Sequence, residues 1–489
     1  MAKKQGFLTS GVLYFANNSL VKILGFLFTY FSSNYLGSAS YGVLTLVISI
    51  TLLAASIGVG GFQVAAQKML NTGNKTEENQ IIGFLWITTA IVSLICLGFI
   101  QLALPYIDTF FSNVEIYEVL MILSFGITFV ASSQLMLGVF KAKEKPEFVL
   151  IVDVCNALTG VLIILLTILL KLDLYKLALL LLARDILTFI ISSCLLLKLG
   201  FTFSNIFRLS NKLKILNFSF HLFLINLGYF FIFNTGRYLS GFILTPNELG
   251  IYSLALSLGL LFLLTHVAFS SVFKPLASSF HQTNDLETIG HYYRLFNRIS
   301  SSFNGIIFMV YLGFSASVLS FFGDDFTVKE GQLTLIILAG STYIYCWTGL
   351  SNGLLQMTEK QKNELIITVI GILFNVVVGY LLGTLFGLIG IASATFISIA
   401  LRTILQLKFI SRNYTFKTIH PSQLWGLSII IIASSLIIFF DYNILISASM
   451  ALCGFLFFFF QLFLILKNYK TNLQALIHRF KTNRHNPRV

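Results

Sequence analysis

A polytopic all-α membrane protein is predicted by three features of this sequence: its apolar content, the length of its apolar runs and the lack of long polar stretches between them. Of 489 residues, 56% are hydrophobic, 10% are charged and 50 are phenylalanine. The mean hydropathy is +0.87, which is outside the range of an ordinary water-soluble surface. Apolar runs of about 20 residues, enough to cross roughly 30 Å of hydrocarbon as a helix, recur from end to end. An open sheet would leave backbone groups unpaired in lipid, so the spans are helices.

Fourteen spans are read, in order, at 9–35, 42–66, 81–104, 116–140, 148–170, 175–199, 216–242, 249–273, 299–321, 331–356, 365–385, 387–410, 423–440 and 444–466. The first follows Lys3 and Lys4 as a signal peptide would, but it is too long, carries Asn17, Asn18 and Lys22, and lacks a small-residue cleavage pattern; it is expected to be retained. The fourth runs into the short basic stretch "FKAKEKPE", and the fifth and sixth carry Asp153, Arg184 and Asp185. The seventh holds Asn226, Asn234 and Arg237, with Gly236 and Gly241 bracketing the arginine and thinning the helix for close approach. Thr245, Pro246 and Glu248 form a capping box that starts the eighth span. The polar stretch "SSFHQTNDLETIGHYYRLFNRIS" reads as an inner loop before the ninth span. The twelfth carries Arg402, and after the last comes a basic, partly amphipathic tail, "KNYKTNLQALIHRFKTNRHNPRV", suited to an anionic lipid surface or to a solvated stop-transfer role.

An even number of spans puts both termini on one side. With that side cytoplasmic, 25 of the 32 Lys and Arg lie in or beside cytoplasmic segments and only Lys171, Lys176 and Lys329 lie outside, the bias expected of inner loops. The net charge of +13 therefore records topology, and a nucleic-acid partner is not expected. The five cysteines stand singly with no CxxC, so neither zinc nor redox chemistry is indicated.

The chain repeats itself. "YLGSASYGVLTLVISI" and "FILTPNELGIYSLALSL" lie 208 residues apart; "FFSNVEIYEVLMIL" and "FFGDDFTVKEGQLTLIIL" lie about 211 apart; "FKAKEKPE" is echoed by "MTEKQKNE". Six spans separate each pair, which gives parallel repeats about an axis along the membrane normal, a plan of transporters that rock two halves about a central site. The expected divisions are 1–208 and 209–410 as six-helix bundles, 411–466 as two extra spans and 467–489 as the cytoplasmic tail. No P-loop, HExxH or nucleophile elbow is present, and the outer loops are too short for a catalytic domain, so no catalytic residue and no enzyme are expected.

Charges within spans are costly, about 2.5 to 3.5 kcal/mol each on insertion scales, and usually face water or a partner. Lys22 and Arg184 fall near mid-membrane, Asp153 and Arg402 in the inner half and Arg237 in the outer third. Asp153 and Arg402 are near enough to the inner edge to snorkel. Arg184 and Asp185 point about 100° apart on a helix and are not expected to satisfy each other. Four bases against two acids predict a cationic cavity for an anionic headgroup. Asn17, Asn18, Asn226 and Asn234 are placed to hydrogen-bond sugar hydroxyls, although amides also join helices.

In its order of motifs, from "NNSLVKILGFLFTYFSSNYLGSASYGVLTL" through "FKAKEKPE", "NTGRYLSGFILTPNELGIYSLA" and "VFKPLASS" to "FFGDDF", the whole chain resembles bacterial polysaccharide flippases of the Wzx type. These belong to the multidrug/oligosaccharidyl-lipid/polysaccharide exporter superfamily. The resemblance implies two six-helix bundles in a V with two C-terminal helices, alternating access and a multi-pass place in the cytoplasmic (inner) membrane. It implies a substrate of oligosaccharide repeat units on undecaprenyl pyrophosphate, membrane lipids as surroundings, and a polysaccharide polymerase and chain-length proteins as partners. Lys22, Arg184 and Arg237, with Asn18, Asn226 and Asn234, are the expected substrate-binding residues; Asp153 and Asp185 are candidates for ion coupling. No cofactor or metal is expected, and membrane potential, H+ or Na+ is the candidate energy source. Relatives often carry an acidic or amide residue directly before the arginine, where this chain has Gly236. A peptidoglycan-precursor flippase and a cation-coupled multidrug exporter of the same fold are the alternatives; the excess of bases over acids disfavours a cationic drug.

Overall fold

The computed structural model describes residues 7–70, 75–201, 212–439 and 444–483. Lys3, Lys4 and the expected boundary near 208 lie outside those residues, as do the side chains of most of the basic tail. Among the described residues the chain is built of helices, with no strand: α1 (Phe7–Val59), α2 (Phe62–Met69), α3 (Lys75–Phe110), α4 (Tyr117–Ser124), α5 (Gly126–Ala142), α6 (Pro146–Leu169), α7 (Leu174–Lys198), α8 (Lys212–Ile243), α9 (Pro246–Gly259), α10 (Leu263–Gln282), α11 (Leu286–Ser320), α12 (Lys329–Trp347), α13 (Leu350–Met357), α14 (Gln361–Asn413), α15 (Pro421–Phe439) and α16 (Ile444–Asn483). Ten of these are long and apolar enough to cross a membrane, or eleven when the bent pair α4 and α5 counts as one span. The expected fourteen is not reached by that measure. Helices α1 and α14 each run for 53 residues, about 80 Å at 1.5 Å per residue and far more than one bilayer. Each is broken by a glycine in a conformation that side chains disfavour: Gly37 (φ 69°, ψ 176°) and Gly387 (φ 56°, ψ −133°). Two predicted pairs of spans lie on these two broken helices. The stretch expected as an inner loop before the ninth span is helical except for a short turn, since α10 extends to Gln282 and α11 starts at Leu286.

The chain divides into two compact units. The first comprises Met1–Leu258, Leu319–Thr334 and Thr368–Ser398. In it α1 packs against α3, α5 and α6, while α7 packs on α4, α5 and α6. One core joins Leu44, Leu46 and Val47 to Leu120, Ile127, Ile164 and Leu181; another joins Phe62 and Ala66 to Leu135, Phe140 and Leu196. The capping box forms: Thr245 N–H and Oγ1–H both donate to Glu248 Oε2 at 3.0 and 2.7 Å, and Glu248 N–H returns to Thr245 Oγ1 at 3.4 Å.

The sequence echoes also meet in this unit. Phe110 stacks on Phe242 with ring centroids 4.5 Å apart, and Asn113 Nδ2 donates to the Ile243 carbonyl at 3.4 Å. In the echoing loop, Phe321 lies 4.5 Å from Tyr30, and Asn34 Nδ2 donates to the Phe321 carbonyl at 3.0 Å. The loop after one echo thus seats on α8, and the loop after the other seats on α1.

The second unit comprises Gly259–Val318, Leu335–Ile367 and Ile399–Val489. Its core gathers Phe273, Leu276, Tyr293, Leu354 and Ile410, α10 packs on α13, and α15 packs on α16.

Candidate functional site

The membrane-embedded charges sort into those the fold pairs and those it leaves without a carboxylate. In the first unit, α7 carries Arg184 and Asp185 side by side. Arg184 Nε and Nη2 both donate to Asp185 Oδ1, at 3.1 and 2.8 Å. The expectation that these neighbours cannot satisfy each other is therefore wrong. It followed the Cβ directions, whereas the long arginine stem wraps around the helix and brings its planar fork to the carboxylate. Asp185 lies at the bend between α4 and α5, where a Cβ on Gly126 would stand 2.9 Å from Asp185 Oδ2. Beside the pair is a cavity of about 40 Å³ lined by Thr51, Gly126 and Leu181 among others. It is large enough for water and far too small for a sugar. Asp153, on α6, accepts a hydrogen bond from Asn17 Nδ2 at 2.8 Å.

Arg402 is also paired, within the second unit. Its Nη2 donates to Glu364 Oε1 at 2.5 Å and to Asn352 Oδ1 at 2.9 Å. Gln406 Nε2 reaches Glu364 Oε2 and Asn352 Oδ1 at 2.6 and 2.7 Å. Arg402 and Glu364 are each 1% exposed, and the guanidinium lies 5.4 Å from the Tyr345 ring centroid. Arg402 does not snorkel; it belongs to a satisfied buried network, the form in which a buried ion pair is tolerated. Glu364 lies within the echoed "MTEKQKNE", but the sequence carries no signal that its partner stands 38 residues away on the same broken helix.

Two bases remain. Lys22 is exposed on α1 and makes no hydrogen bond or ion pair among the described residues, and its neighbour Asn18 is exposed too. Asn226, which stands 208 residues after Asn18, is likewise exposed. On α8, Arg237 Nη1 donates to Asn234 Oδ1 at 3.1 Å. Its Nε is buried without a hydrogen-bond partner, and no carboxylate lies within ion-pair distance among the described residues. The phenols of Tyr41, Tyr238 and Tyr252 lie within electrostatic range of its guanidinium. Tyr238 O–H donates to the Ser49 carbonyl at 3.0 Å, and Tyr252 shares a hydrogen bond with Thr395 at 3.1 Å. These three tyrosines escaped the sequence reading, because an aromatic in an apolar span looks like core. Gly236 admits Tyr252: a Cβ there would stand 1.9 Å from the Tyr252 hydroxyl oxygen. No group of three or more His, Cys, Asp or Glu is placed to hold a metal among the described residues.

Comparison with known proteins gives a consistent set of likenesses. A family model described as polysaccharide biosynthesis protein matches residues 7–281, more than half of the chain, and the MatE model matches residues 219–381. A probable low-salt glycan biosynthesis flippase, Agl15, of Haloferax volcanii is 28% identical over 180 residues. That match covers 36% of this chain and only 37% of the relative's length. Among solved structures, the lipid II flippase MurJ in an inward closed conformation superposes with a TM-score of 0.71 at 15% identity, covering 95% of this chain and 100% of that one. An inward-facing multidrug resistance transporter of the MATE family superposes with a TM-score of 0.65 at 14% identity, covering 82% and 98%. At such identities these structures establish the fold alone, which is the one that the MurJ and MATE structures share.

Proposed function

Since the chain belongs to the polysaccharide biosynthesis protein family, we propose that it is a flippase that moves undecaprenyl-pyrophosphate-linked oligosaccharide repeat units from the inner to the outer leaflet of the cytoplasmic membrane. The observation that carries this reading is the state of its embedded bases. Arg184 and Arg402 are neutralised by Asp185 and Glu364, whereas Lys22 and Arg237 keep charges that no described carboxylate balances. A cation left in that state within a membrane-spanning helix favours an anionic ligand over a cationic one. In this reading Lys22 and Arg237 hold the pyrophosphate, Asn18, Asn226 and Asn234 face the sugars, and Arg184 with Asp185 and Asp153 serve ion coupling or structure. Residues 1–208 and 209–410 act as the two rocking halves, both termini are cytoplasmic, and a polymerase with chain-length proteins receives the product.

The test is made in the host. Deleting the gene is expected to remove surface glycan while the lipid-linked repeat accumulates inside. At matched protein levels, Arg237→Ala and Lys22→Ala are each expected to lower restored export roughly ten- to a hundredfold, the loss of one charge-assisted hydrogen bond of about 1.5 to 3 kcal/mol, and Arg237→Lys to restore part of it. Normal export by both alanine variants would remove the cationic headgroup site. A deletion that changes drug sensitivity alone would remove the flippase reading.

A further inference from the structure

One face of α10 carries a line of polar side chains that the fold leaves unsatisfied. His266, Ser270 and Lys274 follow one another at four-residue intervals, each about one turn from the next. Ser270 is 8% exposed, and neither its Oγ nor His266 Nδ1 has a hydrogen-bond partner. Lys274 is partly buried and makes no hydrogen bond or ion pair among the described residues. Buried polar groups are rarely left in this state, because each forfeits its bonds to water without gaining others.

Lys274 lies just past the eighth span as read from the sequence, 249–273, yet α10 carries it inside a helix that continues to Gln282. It stands where the buried side of α10, with Phe273 and Ala277, meets the exposed side, with Ser271 and Pro275. Its stem turns to the buried side and lies along α13, where a Cβ on Gly353 would stand 3.2 Å from Lys274 Cγ and 3.5 Å from Cε. One turn before it on α13, Gly349 makes room for the imidazole in the same way, with a Cβ 2.6 Å from His266 Nδ1. The carboxylate in electrostatic range of Lys274 is Glu364, whose two oxygens already accept from Arg402 and Gln406. Two bases thus share one acid, and the surplus positive charge stands one turn from an unused hydroxyl. An ammonium brings three donors and a hydroxyl one more, so the ligand that satisfies both is an anion rich in acceptor oxygens, as a phosphate is.

We propose that this edge of α10 is a second station for the phosphate headgroup, with Lys274 taking its charge and Ser270 donating to it from one turn away. The inference rests on the reading of the substrate as a lipid pyrophosphate, and it adds a station in the second unit to Lys22 and Arg237 of the first. In the proposed topology α10 ends on the cytoplasmic side, so Lys274 meets the headgroup on the side of the inner leaflet.

The experiment measures equilibrium binding to the full chain in nanodiscs of zwitterionic lipid, with undecaprenyl pyrophosphate, uncharged undecaprenol and inorganic pyrophosphate as probes. Lys22→Met with Arg237→Gln removes the first unit's bases and is expected to keep a preference of at least about tenfold for undecaprenyl pyrophosphate over undecaprenol, the discrimination of one charge-assisted contact. Adding Lys274→Met, which keeps an unbranched stem against Gly353, or Lys274→Gln where the methionine variant does not fold, is expected to remove that preference. Adding Ser270→Ala instead is expected to weaken binding about fivefold, the effect of one neutral hydrogen bond. In the host, Lys274→Met alone is expected to lower export roughly tenfold and Lys274→Arg to restore most of it. A preference in the native protein that is already lost in the Lys22→Met, Arg237→Gln protein overturns the second station and leaves the first unit's site intact. A preference that persists without Lys274, or export by Lys274→Met at the native level, also overturns it. Inorganic pyrophosphate that binds as tightly as the lipid, or phosphatidylglycerol that displaces the lipid, assigns the station to a free anion or to bulk lipid and overturns it too. No preference in the native protein overturns the headgroup reading, and the station with it.

Discussion

Gly236 is the residue that departs from the pattern of the resembling flippases, and the structure gives the departure a physical cause. The Tyr252 hydroxyl fills the place that a side chain at 236 would need, with its oxygen 1.9 Å and its Cζ 2.7 Å from an ideal Cβ. The phenol thus occupies the space of a side chain at position 236. Gly236→Ala is expected to lower stability by about 1 to 3 kcal/mol through overpacking. Tyr252→Phe in the same chain, by removing the hydroxyl, is expected to recover part of that loss. Thermal unfolding of the four proteins in detergent closes the double-mutant cycle, and strict additivity would contradict the contact. Arg402 provides a second prediction at this scale. It and Glu364 are each 1% exposed, so Arg402→Met alone leaves a carboxylate buried without its ion and is expected to cost about 3 to 5 kcal/mol. Arg402→Met with Glu364→Leu removes both charges and is expected to be closer to the parent in melting temperature, since Asn352 still donates to the Tyr345 hydroxyl and accepts from Gln406, which loses only the carboxylate.

Helices α1 and α14 would be too long for any bilayer if they ran straight, and one glycine in each settles where they break. Gly37 and Gly387 have positive φ, at 69° and 56°, and a Cβ on Gly37 would also stand 3.2 Å from Asp325 Oδ2. Alanine at Gly37 is expected to destabilise by roughly 1 kcal/mol or more, the cost of a left-handed backbone for an L-residue, measurable as a lower melting temperature. Helix α15 has a titratable start. His420 Nδ1 accepts from the Ser422 N–H at 3.2 Å, and burial, with Arg298 and Arg294 nearby, holds the imidazole below the usual histidine range. A histidine whose native pKa is lowered adds stability above its unfolded value of about 6.5, and that stability is lost as pH falls through the native value. The melting temperature is therefore expected to fall more between about pH 7.5 and 5 in the native protein than in His420→Asn, which keeps an acceptor but does not titrate. The helical class and the start of α9 were legible in the sequence, because apolar length and the capping box Thr245, Pro246 and Glu248 are local signals, whereas the count of fourteen spans and the loop expected before the ninth were not met. The partners of the embedded charges were not. Glu364 with Arg402, and Tyr252 with Gly236, are brought together by packing between helices, while Arg184 reaches its own neighbour by a side-chain path that helix geometry at Cβ does not reveal.

For the whole molecule, the open question of energy supply is sharpened by how few embedded charges remain unbalanced. For the proposed substrate, a pyrophosphate headgroup moving outward across an inside-negative membrane would gain roughly 2.3 kcal/mol per charge per 100 mV, which would favour export without ATP. Proton or sodium exchange would instead need a carboxylate that changes its partner during the cycle. The two candidates are engaged: Asp185 accepts both bonds from Arg184 beside a cavity of about 40 Å³, and Asp153 accepts from Asn17. The two mechanisms separate in proteoliposomes of uniform orientation loaded with a fluorescent lipid-linked oligosaccharide. With a potassium diffusion potential and no proton or sodium gradient, an inside-negative voltage is expected to speed outward translocation and the opposite voltage to slow it. Asp153→Asn keeps a hydrogen-bond acceptor for Asn17 and removes the charge, so it is expected to preserve the voltage dependence at a reduced or unchanged rate. If translocation instead follows an imposed proton or sodium gradient at zero voltage, and Asp153→Asn or Asp185→Asn abolishes that response, a carboxylate carries the coupling ion and voltage on the headgroup is not the drive. The proposed headgroup role of Lys22 and Arg237 is untouched by that outcome, but the work of carrying the headgroup across falls to the acid that the gradient titrates.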